Sequence, residues 1–228
     1  MSISDSRGQF ITLEGLDGCG KSTQLARLAK ELRGDGLDVV ATREPGGTAT
    51  GERIRDLLLN PATSGLSFWA ELALMFAARA QHLQEVIVPA LQAGKFVLCD
   101  RFTDSSEAYQ GGGRQLGSEP ILELHRILCG GLQPHLTILM DSDLSASLER
   151  ARRRHLERLS TTAPGVVQRN ETRFEQENRE FFQRVAAKYL EIARRQPERV
   201  VVIDARPPAD QVFPVILAAV RERLNLKQ

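Results

Sequence analysis

The sequence predicts an α/β protein whose parallel sheet is covered by helices on both faces. Three observations predict it. Short runs that are apolar on both faces alternate with runs of helical periodicity along the chain. A glycine-rich turn, Gly15-Leu16-Asp17-Gly18-Cys19-Gly20-Lys21-Ser22-Thr23, joins the first apolar run to the first helical one. Charged residues also recur at the carboxyl ends of the apolar runs, where ligands of such sheets sit: Glu14, Arg43, Asp100, Arg101 and Asp141.

Each element has its own signal. Residues 9–14 are apolar and β-rich, as in a buried strand. Leu25, Leu28, Ala29 and Leu32 recur at helical spacing, and Gly34 and Gly36 are stop signals. Residues 37–42 read as a second strand and residues 43–47 as the loop at its end. A short helix over 53–59 stops at Asn60-Pro61. Residues 67–93 form a long helical stretch, apolar around Leu72, Leu74, Met75 and Phe76, which Pro89 should kink or split. The third strand is 96–100. Residues 103–118 are polar and contain Gly111-Gly112-Gly113, so they read mostly as loop, with a turn of helix near Tyr109. A helix over 121–128, a strand over 136–141 and a basic helix over 144–154 follow. Residues 155–171 look irregular. A helix over 173–195, a strand over 199–204 and a helix over 209–224 complete the chain.

The totals bound the function. With 228 residues, 42% hydrophobic and 26% charged, the chain suits one domain with a sizeable core, 1–228, carrying at most a small insertion. A net charge of +1 gives no electrostatic signature of a nucleic-acid or membrane binder. No apolar run approaches the ~18 residues of a membrane span, and residues 1–9 lack the apolar stretch of a signal peptide. Cys19, Cys99 and Cys129 are scattered and read as free thiols of a cytoplasmic protein.

The glycine turn matches G-x-x-x-x-G-K-[ST], the phosphate-binding P-loop, in its proper strand-to-helix setting. Backbone N–H groups and the positive end of the helix converge on one point there. Lys21 should reach the β- and γ-phosphates of ATP, and Ser22 should bind Mg²⁺. Asp100, ending an apolar strand, has the form of the acid that holds the metal or its water; alone, it could equally cap a turn.

The arginines narrow the reaction. Bringing two phosphate groups together sets several like charges side by side. Two unit charges ~4 Å apart repel by about 4 kcal/mol at an effective dielectric of 20, so the total exceeds ~10 kcal/mol. A kinase with a phosphate acceptor therefore needs cations beyond Lys21 and Mg²⁺. Arg43 and Arg101 stand at strand ends, and Arg79 lies within an apolar helix, where it must meet a ligand or a carboxylate. Arg150, Arg152, Arg153 and Arg154 form a cluster in which Arg150, Arg153 and Arg154 share a helix face. That face is either solvated or part of a mobile lid over 150–172 that closes on the triphosphate.

Four motifs in order carry a resemblance: Glu14-Gly15-Leu16-Asp17-Gly18, Thr42-Arg43-Glu44-Pro45-Gly46-Gly47-Thr48, Asp100-Arg101 and Ala108-Tyr109-Gln110-Gly111-Gly112-Gly113. Through them the chain resembles bacterial thymidylate kinase over nearly its whole length. The resemblance implies a P-loop NTPase three-layer sandwich with a five-stranded parallel sheet in order 2-3-1-4-5. It implies transfer of the ATP γ-phosphoryl group to dTMP, with Mg²⁺, by a homodimer that supplies DNA precursors. It assigns catalysis to Lys21, Asp17, Arg101 and the lid arginines Arg150 and Arg154, because the loop carries no cation between Gly15 and Gly20. It assigns dTMP binding to Asp17, Arg43, Pro45, Phe76, Arg79, Arg101, Ser106, Tyr109 and Gln110. Metal binding falls to Ser22, Asp100 and Glu175.

Two positions depart from the family pattern. Relatives often place the base-stacking Phe four residues before the arginine; here Phe76 is three before Arg79 and Met75 holds the fourth place. Relatives often read Asp-Arg-[Ile/Phe]-Glu after the lid; here the run is Thr172-Arg173-Phe174-Glu175. Two other readings remain at this stage. A deoxynucleoside kinase would phosphorylate a hydroxyl and need fewer arginines. A P-loop switch protein would need no second nucleotide pocket.

Overall fold

The computed structural model describes residues 8–63, 65–161 and 172–226, and the side chains of these residues except 154–161. Five parallel strands form one sheet in the order β2-β3-β1-β4-β5, as the resemblance implied. They are β1 (Gln9–Glu14), β2 (Val39–Arg43), β3 (Phe96–Asp100), β4 (Leu136–Asp141) and β5 (Val200–Asp204). Register aligns their carboxyl ends: Asp100 pairs with Leu13 on one side and Arg43 on the other, and Asp141 pairs with Asp204. The charged strand ends therefore open on one crevice.

Alternation along the strands divides the core into layers. On one face Ile11, Leu13, Leu98 and Ile138 pack against helix α1 (Lys21–Gly34). On the other, Phe10, Val97 and Cys99 meet Leu72 and Phe76 of α3 (Phe68–His82), which α2 (Ala49–Leu59) precedes. Each fully buried Leu or Phe contributes about 1.5–3 kcal/mol by leaving water, so these layers hold the strand ends rigidly in place. Helix α2 begins earlier than residue 53 because Thr48 caps it, accepting from the Gly51 N–H.

The stretch before β3 stays helical through Pro89. After α3 the chain widens into a π turn, Leu83–Ile87, and continues as α4 (Val88–Gln92). Val88 N–H bonds Leu83 O, and Pro89 falls in the first turn of α4, where its missing N–H is harmless.

Three sequence expectations are corrected. Residues 103–118 are not mostly loop: α5 (Thr103–Ser106) runs into a π turn, Glu107–Gly113, and nearly all of it is buried. Its polar side chains are internal because each has a partner: Thr103 with His125, Asp104 with Arg199, Glu107 with Arg195, Gln110 with Glu71. The glycines let a neighbouring helix approach, since a Cβ on Gly113 would lie 2.5 Å from the Phe181 ring. After α6 (Glu119–Leu128), the basic helix α7 spans Leu144–Thr161, so residues 155–161 are helical rather than irregular; residues 162–171 lie outside the described residues. Finally, α8 (Arg179–Arg195) starts at the Asn178 cap, after a short 3₁₀ turn, Phe174–Gln176. Helix α9 (Ala209–Arg223) covers the first face beside α1. Among the described residues no helix is long and apolar enough to cross a membrane.

Candidate active site

The turn from β1 into α1 is built to wrap an anion. Gly15 has φ 134° and Gly18 φ 83°, which L side chains rarely adopt. A Cβ on Gly18 would also lie 2.0 Å from Ser147 O of α7, so glycine is required for this approach as well. Lys21 Nζ folds back and donates to Gly15 O at 3.0 Å and Leu16 O at 2.7 Å, closing the loop over its own backbone. Arg150 Nε donates to Gly18 O at 2.9 Å, which sets one arginine of α7 directly on the loop. The Arg154 side chain lies outside the described residues; Arg152 and Arg153 are exposed.

Ser22 Oγ donates to Asp100 Oδ2 at 2.6 Å. The other oxygen, Asp100 Oδ1, is buried without a hydrogen-bond partner among the described residues. A hydroxyl and a half-satisfied carboxylate side by side make an oxygen donor set suited to Mg²⁺. Glu175 sits in the 3₁₀ turn Phe174–Gln176, where the Phe174 ring lies edge-on to Tyr109 and the preceding Arg173 reaches Glu71.

Immediately after β3, Arg101 adopts φ 75°, an unusual value for a side-chain-bearing residue. The turn aims its guanidinium back at the loop. Nη2 donates to Asp17 Oδ1 at 2.7 Å and to Tyr109 Oη at 3.2 Å; Nη1 donates to Ser105 Oγ at 3.0 Å and Tyr189 Oη at 3.2 Å. The guanidinium carbon lies 4.9 Å from the Tyr109 ring centre. Burial pushes the Asp17 carboxyl upward, but Arg101 and Lys21 outweigh it and hold it well below the usual carboxylate range. Burial raises the Tyr109 phenol far above its ordinary value, so it stays a donor, to Asp17 Oδ2 at 3.0 Å.

Beneath Arg101, Glu14 is fully buried. It accepts from Phe102 N–H at 2.7 Å, Ser105 Oγ at 2.5 Å and Tyr189 Oη at 2.9 Å. Burial and the nearby Asp104 raise its pKa to about 7 against the pull of Arg101.

A second cluster of buried polar side chains surrounds Arg79. Arg79 does meet a carboxylate: Nε donates to Glu44 Oε2 at 2.7 Å. Nη2 donates to Phe102 O at 3.1 Å and Ser106 Oγ at 3.0 Å, while Nη1 is buried without a partner among the described residues. The Phe76 ring is fully buried, with the Arg79 guanidinium 4.7 Å from its centre. It supports the arginine from behind; Met75, packed against the cluster containing Tyr109 and Phe174, is the partly exposed neighbour. Arg43 bonds Glu52 Oε2 at 3.0 Å and Pro45 O at 3.3 Å at the rim. Gln110 Nε2 is turned to Glu71 Oε1 at 2.8 Å.

Glu71 escaped the sequence reading. It is fully buried and also accepts from Arg114 Nη2 at 3.1 Å and Arg173 Nη2 at 2.7 Å. Its one signal was a charge in the same apolar helix as Arg79, about two turns earlier.

The sheet order and the glycine loop between β1 and α1 define a P-loop nucleotide-binding protein. Comparison with known proteins narrows the class. The family model described as thymidylate kinase matches residues 13–216. The chain is 46% identical over 219 residues to a thymidylate kinase of Pelobacter propionicus, covering 96% of each chain. It is 49% identical over 205 residues to one of Pseudomonas putida, covering 90% of this chain and 91% of the other. A crystal structure of thymidylate kinase from Ehrlichia chaffeensis superimposes with a TM-score of 0.69 at 31% identity, covering 96% and 99% of the two chains. The chain belongs to the thymidylate kinase family.

Proposed function

We propose that this chain transfers the γ-phosphoryl group of ATP to dTMP, giving dTDP and ADP, and so supplies precursors for DNA synthesis. The observation that carries the reading is the bond between Arg101 and Asp17, which joins that arginine to the P-loop itself. An acceptor phosphate held by Arg101 would face the donor held by the loop amides and Lys21. The residues with a free or adaptable donor then take their roles. Arg79 Nη1 and Ser106 offer hydrogen bonds to the edge of a base. Tyr109 and Asp17 bound the sugar side. Arg43, Pro45 and Gln110 complete the walls of that pocket, with Phe76 backing Arg79. Arg150 brings positive charge over the loop, where charge grows on the transferred group; Arg154 is assigned with it from the family motif.

Ser22 and Asp100 would hold Mg²⁺, with Glu175 as the outlying member of the set; the ion would neutralise phosphate charge during transfer. One P-loop domain, 1–228, with a lid at 150–172 describes the organisation. A homodimer is supported by apolar side chains left exposed on α3 and α6, Phe68, Trp69, Ile127 and Leu128.

An assay of ADP release across dTMP, dUMP, UMP, dCMP and thymidine tests the reading. Turnover with dTMP well above the others supports it. Turnover of thymidine but not dTMP, or hydrolysis indifferent to every acceptor, refutes it.

A further inference from the structure

Behind Arg79 lie two buried polar groups, His82 and Glu44, that no role above employs. His82, fully buried at the end of α3, has Nε2 2.7 Å from Thr42 Oγ1 and Nδ1 3.0 Å from Glu44 Oε1. The second Glu44 oxygen accepts from Arg79 Nε at 2.7 Å. An ionised carboxylate only accepts, so Nδ1 carries a proton and donates it in a hydrogen bond to Glu44, while Nε2 is paired with the Thr42 hydroxyl. Burial pushes the Glu44 carboxyl up, but Arg79 and His82 together hold it below the usual range, keeping it an anion. The ring itself is clamped, because a Cβ on Gly47 would lie 2.5 Å from His82 Nε2. Thus β2, the loop after it and α3 all bear on the orientation of one guanidinium.

Glu44, His82 and Cys99 also place three metal-ligating atoms within 4.8 Å of one another. Arg79 already supplies the positive charge that Glu44 balances, and both imidazole nitrogens are engaged. The cluster is therefore a hydrogen-bonded line ending in an arginine, not a metal centre.

We infer that His82 and Glu44 are positioning residues. They fix Arg79 so that its unpaired Nη1 points at a hydrogen-bond acceptor on the edge of the acceptor nucleotide's base. Without the carboxylate held on its far side, the guanidinium could rotate into its bonds with Phe102 O and Ser106 and turn Nη1 away. The identity of the nucleotide rests on the dTMP reading; the line itself belongs to the ligand-free chain.

Two readouts test it separately. In the ligand-free protein, the Arg79 Nε–H should give a slowly exchanging NMR resonance, assigned by its loss in Arg79→Lys. His82→Leu should move or broaden it, whereas His82→Asn, whose amide N–H replaces Nδ1–H, should largely restore it. By calorimetry, His82→Leu should bind dTMP about tenfold more weakly, with ATP binding unchanged and the kinetic loss falling on KM rather than kcat. Should His82→Leu not fold, His82→Gln, whose amide reaches the Nε2 side instead, takes its place with the same expectation. A folded variant with an unmoved resonance and wild-type dTMP affinity overturns the inference, as does equal weakening of both nucleotides. A wild-type protein that shows the His82-dependent resonance but binds no dTMP refutes the dTMP reading and leaves the line standing.

Discussion

Arg101 Nη2 lies 2.7 Å from Asp17 Oδ1, across a gap of 84 residues in the chain. The bond ties the residue after β3 to the second residue beyond Gly15 of the P-loop. It makes Asp17 a holding partner for Arg101 that an incoming phosphate can displace without leaving the guanidinium in a new place. Arg101→Ala should raise the dTMP KM and lower kcat, with at least a ~100-fold loss in kcat/KM, because Asp17 is left beside Lys21 and the acceptor phosphate has no cation. Arg101→Lys should recover little, since one ammonium cannot span Asp17, Tyr109, Ser105 and Tyr189 together. Steady-state kinetics with dTMP varied check this; unchanged parameters would remove Arg101 from the pocket.

Arg150 of α7 touches the P-loop. Its Nε bonds Gly18 O while Nη2 donates to Ser147 Oγ at 3.2 Å, so the guanidinium is held against the loop. Arg150→Ala should lower kcat on the order of 10³-fold with a much smaller change in the dTMP KM. Single-turnover measurements separate this from slowed product release. A rate within twofold of wild type would assign the role to another arginine of α7.

Among the described residues Asp100 keeps one buried oxygen unbonded while Ser22 occupies the other. Asp100→Asn keeps the shape but halves the oxygen donors and removes the charge. The Mg²⁺ concentration giving half-maximal rate should rise at least about tenfold, and chelation of Mg²⁺ should abolish turnover in the wild type. A magnesium titration of both proteins decides it, since overlapping curves would place the metal elsewhere.

Local spacing made the loop, Asp100 and Arg101 legible, because a strand, a turn and a helix start position their own residues. The sheet order came from the family motifs; no periodicity contains it. Two kinds of feature were not legible. Residues 103–118 read mostly as loop because they are polar, yet 103–113 are helical and Asp104, Glu107 and Gln110 are buried with partners 39 or more residues away. Glu44 stood in a family motif and Glu71 as a charge in an apolar helix, but neither signal named the partners, Arg79, Arg114 and Arg173, that tertiary packing brings up. Composition predicts which residues prefer water, and only the assembled fold shows which of them have found a substitute for it.

Glu14 gives a pH signature. Its ordinary carboxyl value is 4.5, and burial with Asp104 nearby lifts it to about 7 in the folded protein. The folded state therefore binds the proton more tightly than the unfolded chain. Its stabilising contribution is full below about 4.5 and is lost as pH rises through about 7. Glu14→Gln has no such group, so wild-type stability should fall relative to the variant between pH 5 and 8. Chemical denaturation across that range checks it; parallel curves would mean that Glu14 is ionised throughout.

Glu71 closes the argument on stability. Its carboxylate serves Arg114, Arg173 and Gln110 at once, and all four groups are buried or nearly so. Arg173 also donates to Leu58 O, so this one carboxylate ties α3, the π turn and the residues just beyond the lid tract to α2. Glu71→Ala would leave two guanidinium groups buried with one carboxylate between them, Glu177, which reaches Arg114. Losing one partner of a buried ion pair costs about 3–5 kcal/mol, and more is at stake where two cations share it. The variant should show a cooperative denaturation midpoint shifted by that amount, and Glu71→Gln should recover only part of it because an amide bonds the arginines without neutralising them. If Glu71→Ala lost less than about 1 kcal/mol, the arginines must turn to water or to other carboxylates, and the cluster would not be what anchors Arg173 to α2 and α3.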